Sequence, residues 1–280
     1  MLRLRGAGPV AAVGLWVGDA GQQLERAEAL LAQSFRQPVG PGELEIPAIR
    51  GVGGALIYFL DRGTELGRVW EIEFKPVSDE AAPAGLTCID HIAQTMPFEE
   101  LPSWRLFYLA ILGFTKMAQV EVTDPAGLVE SQVVHAPDRS VQIVLNGSQA
   151  RLTQSGRFIS EFFGAGVQHI AFAADDIFAA VERMRAAGVE LLPIPENYYD
   201  DLEARFDVEP DLADRLRALN VLYDEDEHGR YFQVYTRVFA ERFFFEIVAR
   251  EGYLGFGAAN APIRLAAQAR LSRHPAVPRG

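Results

Sequence analysis

Two five-residue stretches of this chain are near copies of each other, Ile89-Asp90-His91-Ile92-Ala93 and Val167-Gln168-His169-Ile170-Ala171, with 78 residues from one histidine to the next. Each opens the same larger unit of an apolar strand, an amphipathic helix and further strands. In the later copy the strand runs from Val167 to Ala174. Its helix carries Ile177, Val181 and Met184 at helical spacing, with Asp175 or Asp176 as N-cap and Gly188 past its end. The middle copy has its strand near Cys88 to Ala93 and its helix near Pro102 to Leu112. A fainter first copy aligns Val10 to Ala20 with Val167 to Ile177, puts Asp19 at the cap, and continues through a helix at Leu24, Ala27, Leu30 and Leu31. Strands are expected there at Ala55 to Leu60 and at Val69 to Phe74. A chain with this internal repeat is expected to fold as α+β, in three βαβββ modules.

In the first copy Ala12 stands where His169 stands in the third. A further ionisable group sits in the last apolar strand, Glu246 within Arg242-Phe243-Phe244-Phe245-Glu246-Ile247-Val248, 77 residues after His169. A carboxylate in such a strand loses several kcal/mol on desolvation unless charge or hydrogen bonds meet it. A divalent cation supplies that charge, and two neutral imidazoles complete a two-histidine, one-carboxylate set with open positions. Strand alternation puts His91 on a wall with Ile89 and Ala93, His169 with Val167 and Ala171, and Glu246 with Phe244 and Val248. The competing interpretation is two hydrogen-bonded core histidines and a glutamate paired with Arg237, Arg242 or Arg250. Their equivalent places in a repeat favour the metal. His135, His228 and His274 lack such a setting and read as structural or surface residues.

Composition narrows the function. A net charge of -12 argues against nucleic-acid binding. The single Cys88 excludes an internal disulfide and fits a reducing compartment, hence a cytoplasmic location. No apolar run reaches the roughly 20 residues of a membrane helix. Met1 to Val17 has the outline of a signal peptide, but its glycines and Pro9 interrupt it. The Pro-, Ala- and acid-rich stretch from Lys75 to Gly85 divides the chain. The expected units are a single N-terminal module at 1–78 without metal ligands, a linker at 79–86, a two-module metal-binding domain at 87–262, and a C-terminal helix and tail at 263–280. Pro195 to Arg217 reads as an acidic inserted loop or short helix, Ala261 to Leu271 as a closing helix, and Ser272 to Gly280 as a mobile tail. The unpaired first module should expose apolar strand surface, which predicts a homodimer or higher oligomer. Gln168, Asn146, Gln233 and Ser131 are polar residues in apolar strands that extend the candidate site.

The stretches Gly164 to Ala171 with Asp176-Ile177-Phe178, Gln233-Val234-Tyr235-Thr236, Phe244 to Ile247 with Arg250-Glu251-Gly252, and Gly255-Phe256-Gly257 resemble the 4-hydroxyphenylpyruvate dioxygenase family of the vicinal-oxygen-chelate (glyoxalase-like) superfold. The resemblance runs through residues 87 to 260. It implies two modules closing a half-barrel, with His91, His169 and Glu246 binding iron(II), or magnesium, manganese or cobalt(II) as alternatives. It places Ser131, Asn146, Gln168 and Gln233 toward substrate as catalytic residues, and Tyr235, Phe245, Phe256 and Asn260 in the substrate pocket. It implies a 2-oxo acid and dioxygen as reactants, with oxidative decarboxylation and ring hydroxylation. Three departures stand out. The family's first module should precede residue 1, Ala259-Asn260-Ala261 replaces Gly-Asn-Phe while Tyr235 stands for a phenylalanine, and Gly156 stands for a glutamine. Phe256 to Pro262, Ala267 to Arg270 and Leu56 to Asp61 are also similar to the dioxygenase-like half of fused bacterial 3-dehydroshikimate dehydratases. There the dehydratase chemistry belongs to a barrel absent here, which implies a non-redox accessory domain as the alternative role.

Overall fold

The computed structural model describes residues 10–75, 84–239 and 242–272. In it three successive units close the same way, each last strand returning in parallel beside its first. The first unit comprises β1 (Ala12–Trp16), α1 (Ala20–Ala29), β2 (Ser34–Phe35), β3 (Ala48–Arg50) and β4 (Leu56–Leu60), in the sheet order β1-β4-β3-β2. Asp19 caps α1 by accepting from the Gln22 N–H at 2.8 Å. The expected strand at Val69 to Phe74 is instead a helix, α2 (Val69–Glu73). A 3-10 turn over Glu65–Arg68, capped by the Thr64 side chain, runs directly into it and sets helical geometry. The alternating apolar residues consequently leave Trp70 and Phe74 exposed.

The second unit holds β5 (Leu86–Pro97), α3 (Leu101–Ile111), β6 (Thr115–Lys116), β7 (Val120–Asp124), β8 (Gly127–His135) and β9 (Gln142–Ser148), followed by α4 (Gln154–Phe162). The third holds β10 (Gly166–Ala174), α5 (Ile177–Ala186), α6 (Asn197–Arg205), α7 (Pro210–Leu219), β11 (Leu222–Asp226), β12 (Gly229–Tyr235) and β13 (Phe244–Glu251), and α8 (Ala261–Ser272) follows. Here Asp176 is the cap of α5, accepting from Ala179 N–H at 3.0 Å. The first strands of these two units pair antiparallel with each other and fuse both into one sheet, β11-β12-β13-β10-β5-β9-β8, with β6 and β7 both on the far side of β8. This mixed sheet curls into the half-barrel of the vicinal-oxygen-chelate fold. Outside it, Met96, Leu145 and Val134 pack against α3, and Ile247 and Phe232 share a core with Val181 of α5.

The β5–β10 seam corrects the simple alternation expected from sequence. Beside each histidine one strand carries an extra residue: Asp90 lies between the pairs Ile89↔Phe172 and His91↔Ala171, and Gln168 between Val167↔Gln94 and His169↔Ala93. A bulge of one residue reverses the faces beyond it. Ile89 and Val167 therefore do not share a wall with the histidines. Ile89 joins Ile92 and Ile170 on the outer face, and Val167 packs with Ile92, Phe243 and Val13. The two bulges occupy equivalent places, immediately before His91 and before His169.

The first unit is fastened to the outside of the second. Arg26 Nη2 donates to the Ala110 carbonyl at 2.8 Å and Gln23 Nε2 to the Ile111 carbonyl at 3.2 Å, at the C-terminal end of α3. A cavity of about 840 Å³ lies between Trp16, Leu44, Tyr58 and Trp70 of this unit and Ile89, Ile92 and Ile170 of the seam. Its apolar margin is open, with Trp16 44% and Trp70 64% exposed.

The acidic insertion is ordered as α6 and α7, with Tyr198, Tyr199, Leu202 and Leu216 buried in the third unit's core. The C-terminal helix also joins the two-unit body rather than standing apart at 263. Leu265 packs on Val122 and Val129 of the second unit, and Ala267 enters the core of the third. The signal-peptide outline at residues 1–9, most of the linker (76–83) and the tail beyond 272 fall outside the described residues. Among the described residues no helix is long and apolar enough to cross a membrane.

Candidate metal centre

Strand register assembles the centre. Across β5, β10 and β13 one row reads His91, Ala171, Glu246, and the next reads Ala93, His169, Phe244. Ala171 puts only a methyl group between His91 and Glu246, so the imidazole and the carboxylate converge above it. Glu246 Oε2 lies 3.4 Å from His91 Nε2 and 3.3 Å from His169 Nε2. One ligand atom from each residue falls within 4.8 Å of the others, and all three residues are buried. Two ligands bound at about 2.1 Å and at right angles are about 3 Å apart, so these spacings suit a small divalent cation. The repeat also defines a fourth corner. Val144 pairs with Ala93 as Glu246 pairs with Ala171. A valine cannot ligate a metal, so the set stops at three and leaves positions for other ligands.

The arginines that could have neutralised Glu246 are engaged elsewhere. Arg250 forks onto Asp90, Arg242 reaches Glu161 at 2.7 Å and Arg237 lies 3.6 Å from Glu190. Instead, Gln233 Nε2 donates to Glu246 Oε1 at 2.9 Å. That bond occupies one carboxylate oxygen and presents the other to the histidines. Gln233 is itself fixed: its second N–H donates to Tyr235 Oη at 2.9 Å, and its carbonyl accepts from Asn260 Nδ2 at 3.0 Å. Asn260 in turn donates to the Tyr223 carbonyl and accepts from the Tyr198 hydroxyl, which ties α6 into the site. Gly257, at φ +56, lies so close to Gln233 that a Cβ there would come within 2.3 Å of Oε1.

The histidines are held differently. His91 Nδ1 lies 2.8 Å from Asp90 Oδ1, the bulged residue, while Arg250 grips the same carboxylate at 2.7 and 2.9 Å. A carboxylate on the far nitrogen fixes the ring so that Nε2 points at the metal position. Among the described residues His169 has no such carboxylate: its Nδ1 is buried without a hydrogen-bond partner, and its plane is set by stacking on Phe244 at 4.6 Å.

Charge follows the geometry. Burial pushes the Glu246 carboxyl upward, but the two imidazoles outweigh it and hold it well below the usual carboxylate range. Burial lowers His169 to about 4, only partly offset by Glu246. Burial also acts downward on His91, yet Asp90 and Glu246 overcome it and raise the imidazole to about 9. An ionised Glu246 beside a neutral His169 thus draws positive charge to the point where the three ligand atoms meet. The donor set fits a divalent cation.

The other expected residues divide. Ser131 and Asn146 pair across β8 and β9, on the same face as Val133 and Val144, which pack with Ala93 and Phe256. Phe256 meets His91 edge-on at 5.2 Å. Gln168 is buried in the bulge. Phe245 is a correction: it lies on the face of β13 opposite Glu246, against Phe172, Phe239 and Phe243. Asp90, Tyr198 and Arg264 belong to the surroundings of the site without a role in the sequence reading, and Arg250, there a candidate partner of Glu246, holds Asp90 instead. Asp90 differs from its repeat counterpart Gln168, which was the available signal.

Comparison with known proteins agrees with this architecture. Residues 88–228 match the model of the Glyoxalase/Bleomycin resistance protein/Dioxygenase superfamily, and residues 4–75 match that of the N-terminal part of hydroxyphenylpyruvate dioxygenase. The chain is 32% identical to 4-hydroxyphenylpyruvate dioxygenase of Pseudomonas aeruginosa over 259 residues, 90% of this chain and 72% of that protein. The chain belongs to the 4-hydroxyphenylpyruvate dioxygenase family. Similarity is higher to 3-dehydroshikimate dehydratase of Pseudomonas aeruginosa, at 47% over 264 residues, 94% of this chain. The chain spans only 42% of that relative's length. A solved structure described as a xylose isomerase-like TIM barrel/4-hydroxyphenylpyruvate dioxygenase fusion protein superimposes with a TM-score of 0.79 at 44% identity, covering 93% of this chain and 41% of that one.

Proposed function

We propose that this chain is a non-haem iron(II) dioxygenase acting on an aromatic or cyclic 2-oxo acid, with dioxygen as co-substrate. The observation that carries this reading is the buried meeting of His91, His169 and Glu246, with no arginine or lysine paired to the glutamate among the described residues and a valine at the fourth corner. Iron(II) bound there would supply a Lewis acid for the 2-oxo acid and the electrons for oxygen chemistry. The chain's own residues do the rest. Gln233 keeps Glu246 presenting a single oxygen, Asp90 orients His91, and Phe256 with Phe244 keeps water from the imidazoles. Ser131 and Asn146, which pair across β8 and β9 on the face that carries Val133 and Val144, would donate to a bound substrate.

A second reading keeps a metal, magnesium or manganese, but no redox step, in an accessory domain. Its support is that the 47% identical relative is named as a dehydratase and is more than twice as long as the aligned segment. Anaerobic purification, metal analysis and an oxygen electrode decide between them. The dioxygenase reading expects one iron per chain and oxygen uptake with a member of a 2-oxo acid panel, lost in His169→Ala and Glu246→Ala. Magnesium in the isolated protein, with no oxygen uptake after iron loading, would overturn it in favour of the second.

A further inference from the structure

Several arginines near the curled sheet are held by carboxylates, and Arg264 is not. Arg250 holds Asp90, Arg242 holds Glu161, and Arg217 holds Asp200 and Glu203. Arg264, half-buried on α8, makes no ion pair among the described residues. Its Nη1 donates to the neutral Gln268 side chain at 2.9 Å, and its guanidinium lies over two rings, 5.5 Å from the Tyr235 centroid and 5.2 Å from that of Phe244. Both rings belong to the metal's surroundings. Phe244 stacks on His169, and Tyr235 shares the Gln233 amide with Glu246. The helix that carries Arg264 begins beside Asn260, which fixes that amide. The guanidinium is therefore two contacts from the metal ligands, with its fork committed to no anion. A guanidinium binds a carboxylate through two parallel N–H donors, and partial burial strengthens the pair.

We propose that Arg264 is a specificity residue for a second carboxylate on the substrate. The molecule taken would be a dicarboxylate: a 2-oxo acid at the metal end and, across a ring or short chain, a carboxylate received by Arg264. This rests on the 2-oxo acid reading above. A single monovalent fork suits a carboxylate rather than a phosphate, which draws several donors.

Anaerobic calorimetry of the iron(II)-loaded protein tests this by binding alone. The probes are phenylpyruvate and its meta- and para-carboxyphenyl analogues. Wild type should bind the better carboxylated isomer at least about tenfold more tightly than phenylpyruvate, the scale of one charged hydrogen-bonded contact. Arg264→Leu should bring the ratio to about one, and Arg264→Lys, which keeps the charge without the fork, should retain part of it. If phenylpyruvate binds and neither carboxylated probe binds more tightly, or if the preference survives Arg264→Leu, the proposal is overturned while the 2-oxo acid reading stands. Absence of binding by all three probes overturns both.

Discussion

Asp90→Asn is the substitution whose consequences the structure specifies most fully. The Asp90 carboxylate accepts the Arg250 fork at 2.7 and 2.9 Å and faces His91 Nδ1 at 2.8 Å, with the side chain only 8% exposed. Burial acts to raise this carboxyl, but Arg250 first and His91 second overcome it and hold it at about 2, against 3.8 for a free aspartate. A lowering of nearly two units corresponds to about 2.5 kcal/mol of stability at neutral pH. Breaking a buried pair from one side typically costs about 3–5 kcal/mol. Arg250 would keep the carbonyls of Tyr253 and Gly255 and its place over the Tyr231 ring, so the lower end of that range applies. An amide NH2 in place of Oδ2 would face the Arg250 Nε–H donor to donor, so the side chain shifts and the His91 ring loses the carboxylate that orients it. Metal affinity should fall about 10–100-fold.

Urea denaturation of chelator-treated protein measures the first effect, and competition with a chromophoric chelator measures the second. The pH dependence has a definite sign. Because the folded-state value is depressed, the stabilisation is complete above about pH 4 and disappears as pH falls toward 2, so wild type and Asp90→Asn should converge over that interval. If the variant unfolds within about 0.5 kcal/mol of wild type at pH 7 and binds metal equally well, the Asp90 carboxylate neither stabilises the fold nor orients His91.

Gly257→Ala places a methyl group 2.3 Å from Gln233 Oε1 at a backbone φ of +56, so it should cost about 1–3 kcal/mol and loosen Glu246. Adding Gln233→Ala should recover stability but not metal affinity, as read by denaturation and chelator competition. The open apolar margin formed by Trp16, Trp70 and Phe74 should be covered by a second copy of the chain. Sedimentation equilibrium should show a dimer that Trp70→Asp dissociates, whereas a wild-type monomer at tens of micromolar would remove the reason to expect one.

Much of this was legible because it is local or repeated. The twin histidine stretches marked equivalent strands, Asp19 and Asp176 marked helix starts, and Glu246 stood out as a carboxylate in an apolar run. Even the vacant first copy, with Ala12 in the ligand position, could be read by alignment of the chain with itself. Periodicity reported these features because a helix or strand turns its residues by a fixed angle, whatever it later packs against.

The facing of residues needed the folded sheet. Counting by twos put Ile89 and Val167 beside the histidines, but a single bulged residue in each of β5 and β10 sends them to the other side. Val69 to Phe74 carried a strand's alternation and became α2 because the preceding turn was already helical. Phe245 resembled a pocket residue, yet its neighbour Glu246 took the inner face of β13. Partners far apart in sequence were equally hidden: Asp90 and Arg250 are separated by 160 residues, and Gln233 is held by Asn260 and, through it, by Tyr198 from the acidic insertion. Sequence thus determined which groups this chain brings to its chemistry. Which of them face one another was decided only by register between strands, where one extra residue reverses a side chain and no local pattern records it.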